Sequence, residues 1–453
     1  MASSGPTFPR LFGTDGVRGT AGVPPLDPPT VRRLGAALVR ALPHGTESPH
    51  LLVGRDTRES GAWIESELAH GASGEGAEVT SIGVAPTPAV AFLTRASSAF
   101  DAGVVISASH NPYEDNGIKV FSGKGEKFTE GVEREIEAIV ADPSWNATGG
   151  DASPVRRADL VDGYVDHLRA VFPESARLGP FTLAVDCANG ATTDVAPRLF
   201  ESFGIRTVMV GNRPDGRNIN LGCGSTHPEL LAHTVVAHAC QMGVAFDGDG
   251  DRAIFVDDRG RIVDGDAVLL MCARQLQREG RLKHQTIVAT VMSNVGLELA
   301  LRPLGIELVR CAVGDKYVME AMLARGLSLG GEQSGHIIFS DCLFTGDGLC
   351  TALNVLRTVA LTRRSLADLA ADLTTYPQVL LNVRVREKAD LASVPAVAAA
   401  VARVEARVAG HGRLLVRYSG TEPLLRVMLE GRDQDEIRAW AQEIVDAVKE
   451  HLG

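Results

Sequence analysis

The stretch 181–211 holds one complete strand–helix–strand pattern. Its first part, "FTLAVDCANGA" (181–191), is an apolar run that ends in small and polar residues. A helix-forming stretch, "VAPRLFESFG" (195–204), follows, and "RTVMVG" (206–211) is a second apolar run. An apolar strand, a helix and another apolar strand in this order are typical of a βαβ unit with a parallel or mixed sheet.

The same rhythm occurs elsewhere in the chain. "LLVGRD" (51–56) precedes the helical stretch "WIESELAHGA", and "VVISAS" (104–109) follows a further short apolar run. "QTIVATVMSN" (285–294) precedes "GLELALRPLG" and "IELVRC". The pattern recurs about three times, in blocks on the order of a hundred residues, which is a typical domain size. The sequence therefore predicts three similar α/β domains with mixed sheets.

The last part of the chain differs from the rest. After "DLTTYPQ" (372–378) the sequence reads strand, helix, strand, strand and helix, which predicts a small α+β domain of about 80 residues. A length of 453 residues also favours several hydrophobic cores over one. We therefore predict an α/β fold in which a C-terminal α+β domain follows three similar domains, with boundaries at 1–155, 156–256, 257–372 and 373–453.

Charge and cysteine usage limit the function. A net charge of −11 repels the phosphates of nucleic acids, so no nucleic-acid partner is expected. Any phosphate site must be a local cluster of Arg, Lys and backbone N–H groups. The seven cysteines are scattered without a C-x-x-C pair, which favours a reducing, cytoplasmic setting. The N-terminus lacks the apolar core of a signal peptide, and no apolar run approaches the roughly 20 residues that cross a membrane, so no membrane association is expected.

Three aspartates alternate with glycines in "AFDGDGDRAIFV" (245–256). Asp247, Asp249 and Asp251 repel one another unless a cation lies among them, and hard carboxylate oxygens suit Mg²⁺. The alternative is a solvated acidic turn between two strands. An EF-hand is excluded because Arg252 occupies the position that requires glycine. The adjacent arginine indicates a phosphate beside the ion.

A serine follows an apolar run in "SASHNP" (107–112). Ser109 ends a predicted buried strand, where α/β proteins bind ligands, and Lys119 follows ten residues later. The alternative is an ordinary turn or N-cap serine. No G-x-S-x-G surrounds Ser109, so a hydrolase elbow is not indicated. A serine nucleophile together with Mg²⁺ and an arginine is, however, the set of groups that phosphoryl transfer requires.

Three further motifs are candidates for binding. "FGTDGVRGT" (12–20) is a glycine-spaced loop whose Arg18 can approach an anion. In "GGEQSGHIIF" (330–339) alternation predicts that three polar side chains lie on one side of an extended segment and bind sugar hydroxyls, namely Glu332, Ser334 and His336. "RYSGTEPLLRV" (417–427) predicts a donor-rich phosphate loop. The alternatives are a polar loop for 330–339 and a plain hairpin turn for 417–427.

Four of these motifs, in this order, resemble the α-D-phosphohexomutase family: "SASHNP", "DGDGDR", "GEQSGH" and "RYSGTEP". The resemblance covers essentially the whole chain. Further features resemble the branch of the family that acts on glucosamine phosphates. They are Gln333 and the stretches "FGTDGVRG", "PDGRNINLGCGSTHPE" (214–229) and "VGDKYVMEAM" (313–322). Tyr418 departs from that branch, which often has proline at this position.

The resemblance implies three alike α/β domains and a C-terminal α+β domain around a central active-site cleft. It implies that Ser109 is phosphorylated and that its phosphate holds Mg²⁺ together with Asp247, Asp249 and Asp251. Arg18 and Arg252 would stabilise the phosphoryl group, and Lys119 would take part in proton transfer. Glu332 and Ser334 would bind sugar hydroxyls, with His336 close to them. The substrate's resting phosphate would be bound by Arg417, Ser419, Gly420, Thr421 and Arg426.

The implied reaction interconverts the 6- and 1-phosphates of glucosamine through a phosphoserine enzyme, on the route to UDP-N-acetylglucosamine. The implied partners are a small sugar phosphate and a sugar 1,6-bisphosphate as intermediate or primer, and a homodimer is an allowed oligomeric state. One alternative is a broader phosphoglucomutase/phosphomannomutase. The other is a non-catalytic, Mg²⁺-stabilised sugar-phosphate binder, against which the nucleophile Ser109 argues.

Overall fold

The computed structural model describes residues 10–13, 15–42, 48–147, 155–419 and 422–453. These residues form two compact units. The first unit consists of Met1–Met292 and Val309–Ala370. The second consists of Ser293–Leu308 and Ala371–Gly453. Within the described ranges, none of the helices combines the length and the apolar character that crossing a bilayer requires.

The first sheet of the chain is mixed. Its seven strands are β1 Phe12–Gly13, β2 Gly16–Thr20, β3 His50–Arg55, β4 Glu78–Val84, β5 Ala102–Ile106, β6 Asp115–Ser122 and β7 Arg156–Arg157. They lie in the order β1-β2-β6-β5-β3-β4-β7, with β3 parallel to β4 and β5, and β5 antiparallel to β6. The helices of this part are α1 Pro28–Arg40, α2 Gly61–Gly74, α3 Thr87–Ala96 and α4 Glu130–Ala141.

The second sheet repeats this arrangement with five strands. They are β8 Thr182–Asp186, β9 Arg206–Val210, β10 Met242–Phe246, β11 Ala253–Asp257 and β12 Ile262–Val263, in the order β12-β11-β10-β8-β9. β8 is parallel to β9 and β10, and β10 is antiparallel to β11. The accompanying helices are α5 Val161–Arg169, α6 Val195–Ser202 and α7 Glu229–Ala237.

The third sheet has four strands in the order β14-β13-β15-β16. They are β13 Thr286–Thr290, β14 Glu307–Cys311, β15 Leu329–Gly331 and β16 Ile337–Phe339, with β13 parallel to β15 and β15 antiparallel to β16. The helices along this part are α8 Gly265–Arg278, α9 Val295–Leu301, α10 Asp315–Arg325, α11 Gly348–Thr362 and α12 Leu366–Ala370.

The fourth sheet is antiparallel and belongs to the second unit. Its strands β17 Gln378–Arg384, β18 Arg413–Tyr418 and β19 Leu424–Glu430 lie in the order β17-β19-β18, and the helices are α13 Pro395–Val408 and α14 Gln434–Leu452. Asp433 caps α14 by accepting hydrogen bonds from the next backbone N–H groups. One face of α14 is buried against the sheet, because apolar residues recur at helical spacing, as in Ile437, Ala441, Ile444 and Val448. The predicted fold class, three α/β domains and a C-terminal α+β domain, is confirmed.

The sheets do not end where the sequence patterns place the domain boundaries. β7 (156–157) pairs with β4 of the first sheet, and β12 (262–263) pairs with β11 of the second. Each of these edge strands is only two residues long, too short to produce an apolar run. Residues 293–308, which the sequence pattern assigns to the third domain, belong to the second unit, where Asn294 Nδ2 donates to the carbonyl oxygen of Tyr376 at 3.0 Å.

The three α/β sheets place one loop at an equivalent position. In each sheet a central strand is followed by a polar loop and then by an antiparallel neighbour, as in β5–β6, β10–β11 and β15–β16. The first loop contains Ser109, the second contains the aspartate cluster, and the third contains 332–336. The repeated architecture therefore presents three of the four sequence motifs in the same way.

Candidate active site

A cavity of about 810 Å³ lies within the first unit. Most of the polar side chains that line it come from motifs recognised in the sequence: Arg18, Asp251, Arg252, Glu332, Ser334 and His336. Asp15, His110 and Asp315 also line the cavity. The structure thus brings together the predicted anion loop, the aspartate cluster and the sugar loop, which are far apart in the chain.

Ser109 lies at the junction of two α/β domains. It is 1% exposed, and its Oγ donates a hydrogen bond to Oδ2 of Asp247 at 2.6 Å. Its backbone adopts a left-handed conformation with a φ of 54°, which a residue with a Cβ seldom adopts. Such strain persists only where the surroundings enforce it, and it occurs preferentially at functional sites.

Four side chains hold the Ser109 backbone in this conformation. Its N–H donates to Ser107 Oγ at 2.9 Å, and Ser107 Oγ in turn donates to Asp56 at 2.5 Å. Its carbonyl oxygen accepts from Arg58 Nη2 and from Asn220 Nδ2, both at 2.9 Å. Of the two serines, Ser107 therefore supports the loop and Ser109 presents its hydroxyl to the aspartate cluster.

His110 lies beside the same hydroxyl. Its Nδ1 is 3.2 Å from Ser109 Oγ, and the residue lines the cavity. Burial, together with the charges of Arg252 and Arg18, lowers the pKa of His110 to about 4. The imidazole is therefore neutral at neutral pH and leaves the positive charge of the cavity to the arginines.

The three aspartates of the predicted metal site converge. One carboxylate oxygen each of Asp247, Asp249 and Asp251 lies within 4.8 Å of the others, and all three residues are buried. Burial, together with the neighbouring carboxylates of Asp251 and Asp249, raises the pKa of Asp247 well above its usual value. Among the described residues, Oδ1 of Asp249 and Oδ1 of Asp251 have no hydrogen-bond partner. Buried, unpartnered carboxylate oxygens that face one another fit a divalent cation such as Mg²⁺.

Lys119 is a buried cation that contacts two of these aspartates. Its Nζ donates to Asp249 Oδ2 at 2.7 Å and to Asp251 Oδ2 at 3.0 Å, and lies 3.0 Å from Asp15 Oδ2. Burial alone would lower the pKa of Lys119, but the three carboxylates raise it well above its usual value. Burial would likewise raise the pKa of Asp251, but Lys119 and His336 lower it to about 2. The lysine is therefore held in its protonated form, and its charge offsets that of the carboxylates around it.

Arg18 and Arg252 each carry N–H groups at the cavity that are available to a ligand. Arg18 Nη2 is paired with Asp15, and the backbone N–H of Arg252 donates to Asp247 Oδ1 at 3.1 Å. In the described part of the chain, the buried Nε of each arginine lacks a hydrogen-bond partner. Burial opposes the charge of Arg252, but Asp247 and Asp251 raise its pKa above the usual value. Two charged guanidiniums with free donors can bind phosphoryl oxygens.

The sugar loop 332–336 forms a turn rather than the extended segment that the alternation predicts. Gly335 has a φ of 91°, its N–H donates to the carbonyl oxygen of Glu332 at 3.0 Å, and a Cβ there would lie 2.3 Å from the carbonyl oxygen of Ala253. The close approach to β11 leaves no room for a side chain at position 335. Glu332, Ser334 and His336 nevertheless all line the cavity.

His336 and Glu332 are oriented by backbone N–H groups. His336 Nε2 accepts from the N–H of Gly346 at 3.2 Å and lies 3.5 Å from Asp315 Oδ2. Glu332 Oε1 accepts from the N–H of Gly314 at 3.2 Å. Gln333 points elsewhere: its Nε2 donates to Asp264 Oδ2 at 3.0 Å, and Asp264 caps α8.

The predicted phosphate loop is in the second unit. Arg417 and Arg426 are directly opposed on β18 and β19, so their side chains emerge on the same face. Arg426 Nε is buried and, among the described residues, lacks a partner. Ser419 is buried, and its Oγ accepts from the N–H of Glu422 at 3.4 Å. Gly420 and Thr421 lie outside the described residues.

Tyr418 anchors one side of this loop. Its hydroxyl donates to the carbonyl oxygen of Ala389 at 2.7 Å. A tyrosine at a position where proline is frequent therefore replaces a rigid ring with a side-chain hydrogen bond to the neighbouring segment.

Several residues of the site escaped the sequence reading. Asp15 lies in "FGTDGVRGT" (12–20), a motif that indicates a binding role for Arg18 but none for the aspartate. Thr87 donates from Oγ1 to Asp249 Oδ2 at 2.5 Å. Neither Thr87 nor Arg58 belongs to a recognisable motif, although each follows a strand. Asn220 lies in "PDGRNINLGCGSTHPE", a motif with no assigned chemistry. Their partners are distant in sequence, so no local pattern could identify them.

Comparison with known proteins gives consistent matches along the chain. The phosphoglucomutase/phosphomannomutase family matches in all its domains: α/β/α domain I at 9–147, domain II at 162–260, domain III at 264–376 and the C-terminal domain at 380–447. A phosphoglucosamine mutase of Solibacter usitatus is 48% identical over 451 residues, covering 98% of this chain and 99% of that protein. One from Syntrophotalea carbinolica is 46% identical over 449 residues, covering 98% of each chain.

Solved structures share the fold. A phosphoglucomutase/phosphomannomutase family protein from Burkholderia thailandensis has a TM-score of 0.78 at 24% identity, covering 98% of each chain. N-acetylphosphoglucosamine mutase from Aspergillus fumigatus, solved in complex with GlcNAc-6P and magnesium, has a TM-score of 0.64 at 19% identity, covering 97% of this chain and 95% of that one. With all four domain matches in order and full-length relatives above 40% identity, the chain belongs to the phosphoglucomutase/phosphomannomutase family of α-D-phosphohexomutases.

Proposed function

We propose that this enzyme interconverts glucosamine 6-phosphate and glucosamine 1-phosphate, with Ser109 as the phosphoryl carrier. The observation that carries the proposal is the hydrogen bond of 2.6 Å from Ser109 Oγ to Asp247. It places a strained, buried hydroxyl against a carboxylate cluster, beside a cavity lined by Arg18 and Arg252. The choice of amino sugar rests on the full-length relatives named phosphoglucosamine mutase.

The reaction has two half-reactions. In the first, the anomeric hydroxyl oxygen of glucosamine 6-phosphate attacks the phosphorus of phosphoserine 109. The new P–O bond to C1 forms as the P–Oγ bond breaks. The hydroxyl loses its proton and Ser109 Oγ gains one, so the step yields glucosamine 1,6-bisphosphate and free serine. In the second, Ser109 Oγ attacks the phosphorus of the 6-phosphate in the reoriented intermediate, and the P–Oγ bond forms as the P–O bond to C6 breaks. The serine hydroxyl loses its proton and the C6 oxygen gains one, so glucosamine 1-phosphate leaves and phosphoserine is restored.

The residues around Ser109 have separate tasks in this proposal. Asp247, Asp249 and Asp251, with an oxygen of the phosphoserine, would hold Mg²⁺, which when bound offsets charge on the transferring phosphoryl group. Arg18 and Arg252 bind phosphoryl oxygens through their unpartnered Nε groups. Lys119, which its three carboxylate neighbours hold in the protonated form at rest, takes part in proton transfer on the serine side: it gives a proton to Ser109 Oγ in the first half-reaction and receives one back in the second.

The sugar and its second phosphate are bound by the remaining motif residues. Glu332 and Ser334 bind sugar hydroxyls, and His336, whose Nε2 already acts as an acceptor, lies beside them in the cavity wall. The resting phosphate is bound by the donors of the C-terminal domain, namely Arg417, Ser419, Gly420, Thr421 and Arg426. The enzyme works in a reducing compartment, the cytoplasm, which agrees with its seven free cysteines.

The test compares kcat/KM for glucosamine 6-phosphate and glucose 6-phosphate with the purified enzyme and Mg²⁺. We expect the amino sugar to be the better substrate. Intact mass should also show a fraction of the enzyme about 80 Da heavier, the phosphoserine form. A higher kcat/KM for glucose 6-phosphate would overturn the substrate assignment, and a phosphate on another residue would overturn the role of Ser109.

A further inference from the structure

The loop "PDGRNINLGCGSTHPE" (214–229), between β9 and α7, has no task in the reaction described above. One side chain of this loop nevertheless reaches the nucleophile. Asn220 is 7% exposed, and its Nδ2 donates to the carbonyl oxygen of Ser109 at 2.9 Å and to that of Asn111 at 3.1 Å. Both acceptors belong to the loop that carries the phosphoserine of the proposed mechanism.

Asn220 is itself firmly held. Its backbone adopts a left-handed conformation with a φ of 59°, and its N–H donates to the carbonyl oxygen of Ala188 at 2.9 Å. Gly248 of the aspartate loop packs between the two residues, since a Cβ there would lie 2.5 Å from the carbonyl oxygen of Ser109 and 2.9 Å from Asn220 Nδ2. The amide is therefore fixed in place by the second domain.

Arg58, the other side-chain donor to this carbonyl, comes from the domain of Ser109 itself. Its guanidinium is buried and paired with Asp56 at 2.9 Å. Arg58 therefore shapes the serine loop from within. Asn220 and Asp247, by contrast, both come from the second domain, and they contact the carbonyl oxygen and the Oγ of the same serine. This second pair of contacts sets the position of Ser109 relative to the aspartate cluster.

We propose that Asn220 is a positioning residue for phosphoryl transfer: its amide fixes the Ser109 backbone so that Oγ stays over the aspartate cluster in both half-reactions. The inference rests on the proposed role of Ser109 as phosphoryl carrier. Asn220 does not line the sugar cavity. Its loss should therefore slow transfer without weakening substrate binding.

The test uses two substitutions and a matched control in the full-length enzyme. Asn220→Asp keeps the size and the tolerance of a left-handed backbone but turns an oxygen toward two carbonyl oxygens. Asn220→Gly keeps the backbone and removes the side chain. Asn218→Asp is the control in the same loop, because Asn218 Nδ2 donates to the carbonyl oxygen of Arg213 at 2.9 Å, away from Ser109.

Phosphorylated enzyme is mixed with glucosamine 6-phosphate, and the loss of phosphoserine is followed in a single turnover, together with steady-state KM. We expect both Asn220 variants to transfer at least about tenfold more slowly, with KM changed less than about threefold, and Asn218→Asp to match the wild type. Circular dichroism and a thermal melt establish that each variant is folded, and the glycine variant decides the outcome if the aspartate variant does not fold.

Three results would overturn the inference: wild-type transfer in a folded Asn220 variant, a rise in KM at an unchanged transfer rate, or an equal loss in Asn218→Asp. Failure of the proposed function gives a different result, because the wild-type enzyme would then carry no phosphate on Ser109. In that case the proposed role of Asn220 would also be wrong.

Discussion

Ser109 Oγ and Asp247 Oδ2 are 2.6 Å apart although 138 positions separate the two residues in the chain. They come from equivalent loops of two similar domains, one between β5 and β6 and one between β10 and β11. Three copies of one architecture therefore supply three different sets of polar groups: a hydroxyl, a carboxylate cluster and the cavity-lining side chains of 332–336. The site is built by placing these loops side by side, not by any one domain.

Ser109→Ala should abolish turnover and leave the fold intact, because it removes the hydroxyl that contacts the aspartate cluster and that carries the phosphoryl group in the proposed mechanism. Steady-state assays and a thermal melt measure the two effects. Ser107→Ala is the matched control: it removes the bond to Asp56 and the support of the Ser109 N–H, so we expect a reduced but measurable rate. If Ser107→Ala lost all activity and Ser109→Ala kept near wild-type activity, the phosphoryl carrier would be Ser107 and not Ser109.

Asp249→Asn should slow turnover by orders of magnitude and raise the Mg²⁺ concentration needed for half-maximal activity. It removes one anionic ligand from a site whose attraction for a hard cation depends on charge. Mg²⁺ titration of activity measures this. Asp258→Asn, in the exposed turn after β11, should behave like the wild type. An unchanged rate and Mg²⁺ requirement in Asp249→Asn would rule out the metal assignment.

Gln333→Met should leave the preference for glucosamine 6-phosphate over glucose 6-phosphate unchanged. The side chain of Gln333 bonds to Asp264 and does not line the sugar cavity. Losing that hydrogen bond should reduce stability by about 0.5–1.5 kcal/mol, seen as a lower Tm. The ratio of kcat/KM values for the two sugars is the deciding measurement. A tenfold change in that ratio would show that Gln333 acts on the substrate.

Arg417→Ala should slow phosphoserine transfer to glucosamine 6-phosphate and to glucosamine 1-phosphate by similar factors. The resting phosphate is on opposite ends of the sugar in the two cases, so one donor set must serve both orientations. Loss of a hydrogen bond to a charged group costs about 1.5–3 kcal/mol, or roughly ten- to a hundredfold in rate. Single-turnover experiments with each monophosphate measure both factors, and Arg403→Ala on α13 is the control. Slowing of only one half-reaction would contradict a shared phosphate site.

The fold was readable from the sequence because apolar strands and helices alternate with short polar loops, and each domain repeats this rhythm. Many residues of the candidate site could also be predicted from the sequence. The aspartates, an adjacent arginine and the serine at a strand end form short motifs whose spacing is visible locally. The sugar loop shows the limit of local reasoning. Alternation predicts an extended segment, but the segment forms a turn in which Gly335 lies close to Ala253, in another sheet.

The same limit explains the residues that were missed. Asp15 acts through Lys119, Thr87 through Asp249 and Asn220 through Ser109, and in each pair the partners are far apart in sequence. Residues 293–308 pack with the second unit through contacts such as that of Asn294 with Tyr376, which a local sequence pattern likewise does not contain. Nothing in the neighbouring residues encodes such pairings.

The separation of Ser109 from its aspartates also orders events on the ribosome. Synthesis runs from the N-terminus, and domains generally fold as units in that order. The serine loop therefore leaves the exit tunnel and gains Arg58 and Asp56 while the codons for Asn220 and Asp247 are still to be translated. A nascent chain at that stage has the Ser109 hydroxyl but neither the amide nor the carboxylate that contacts this residue in the folded protein. The Ser109 hydroxyl and the side chains that orient it are therefore together only once the second domain has been made and has folded.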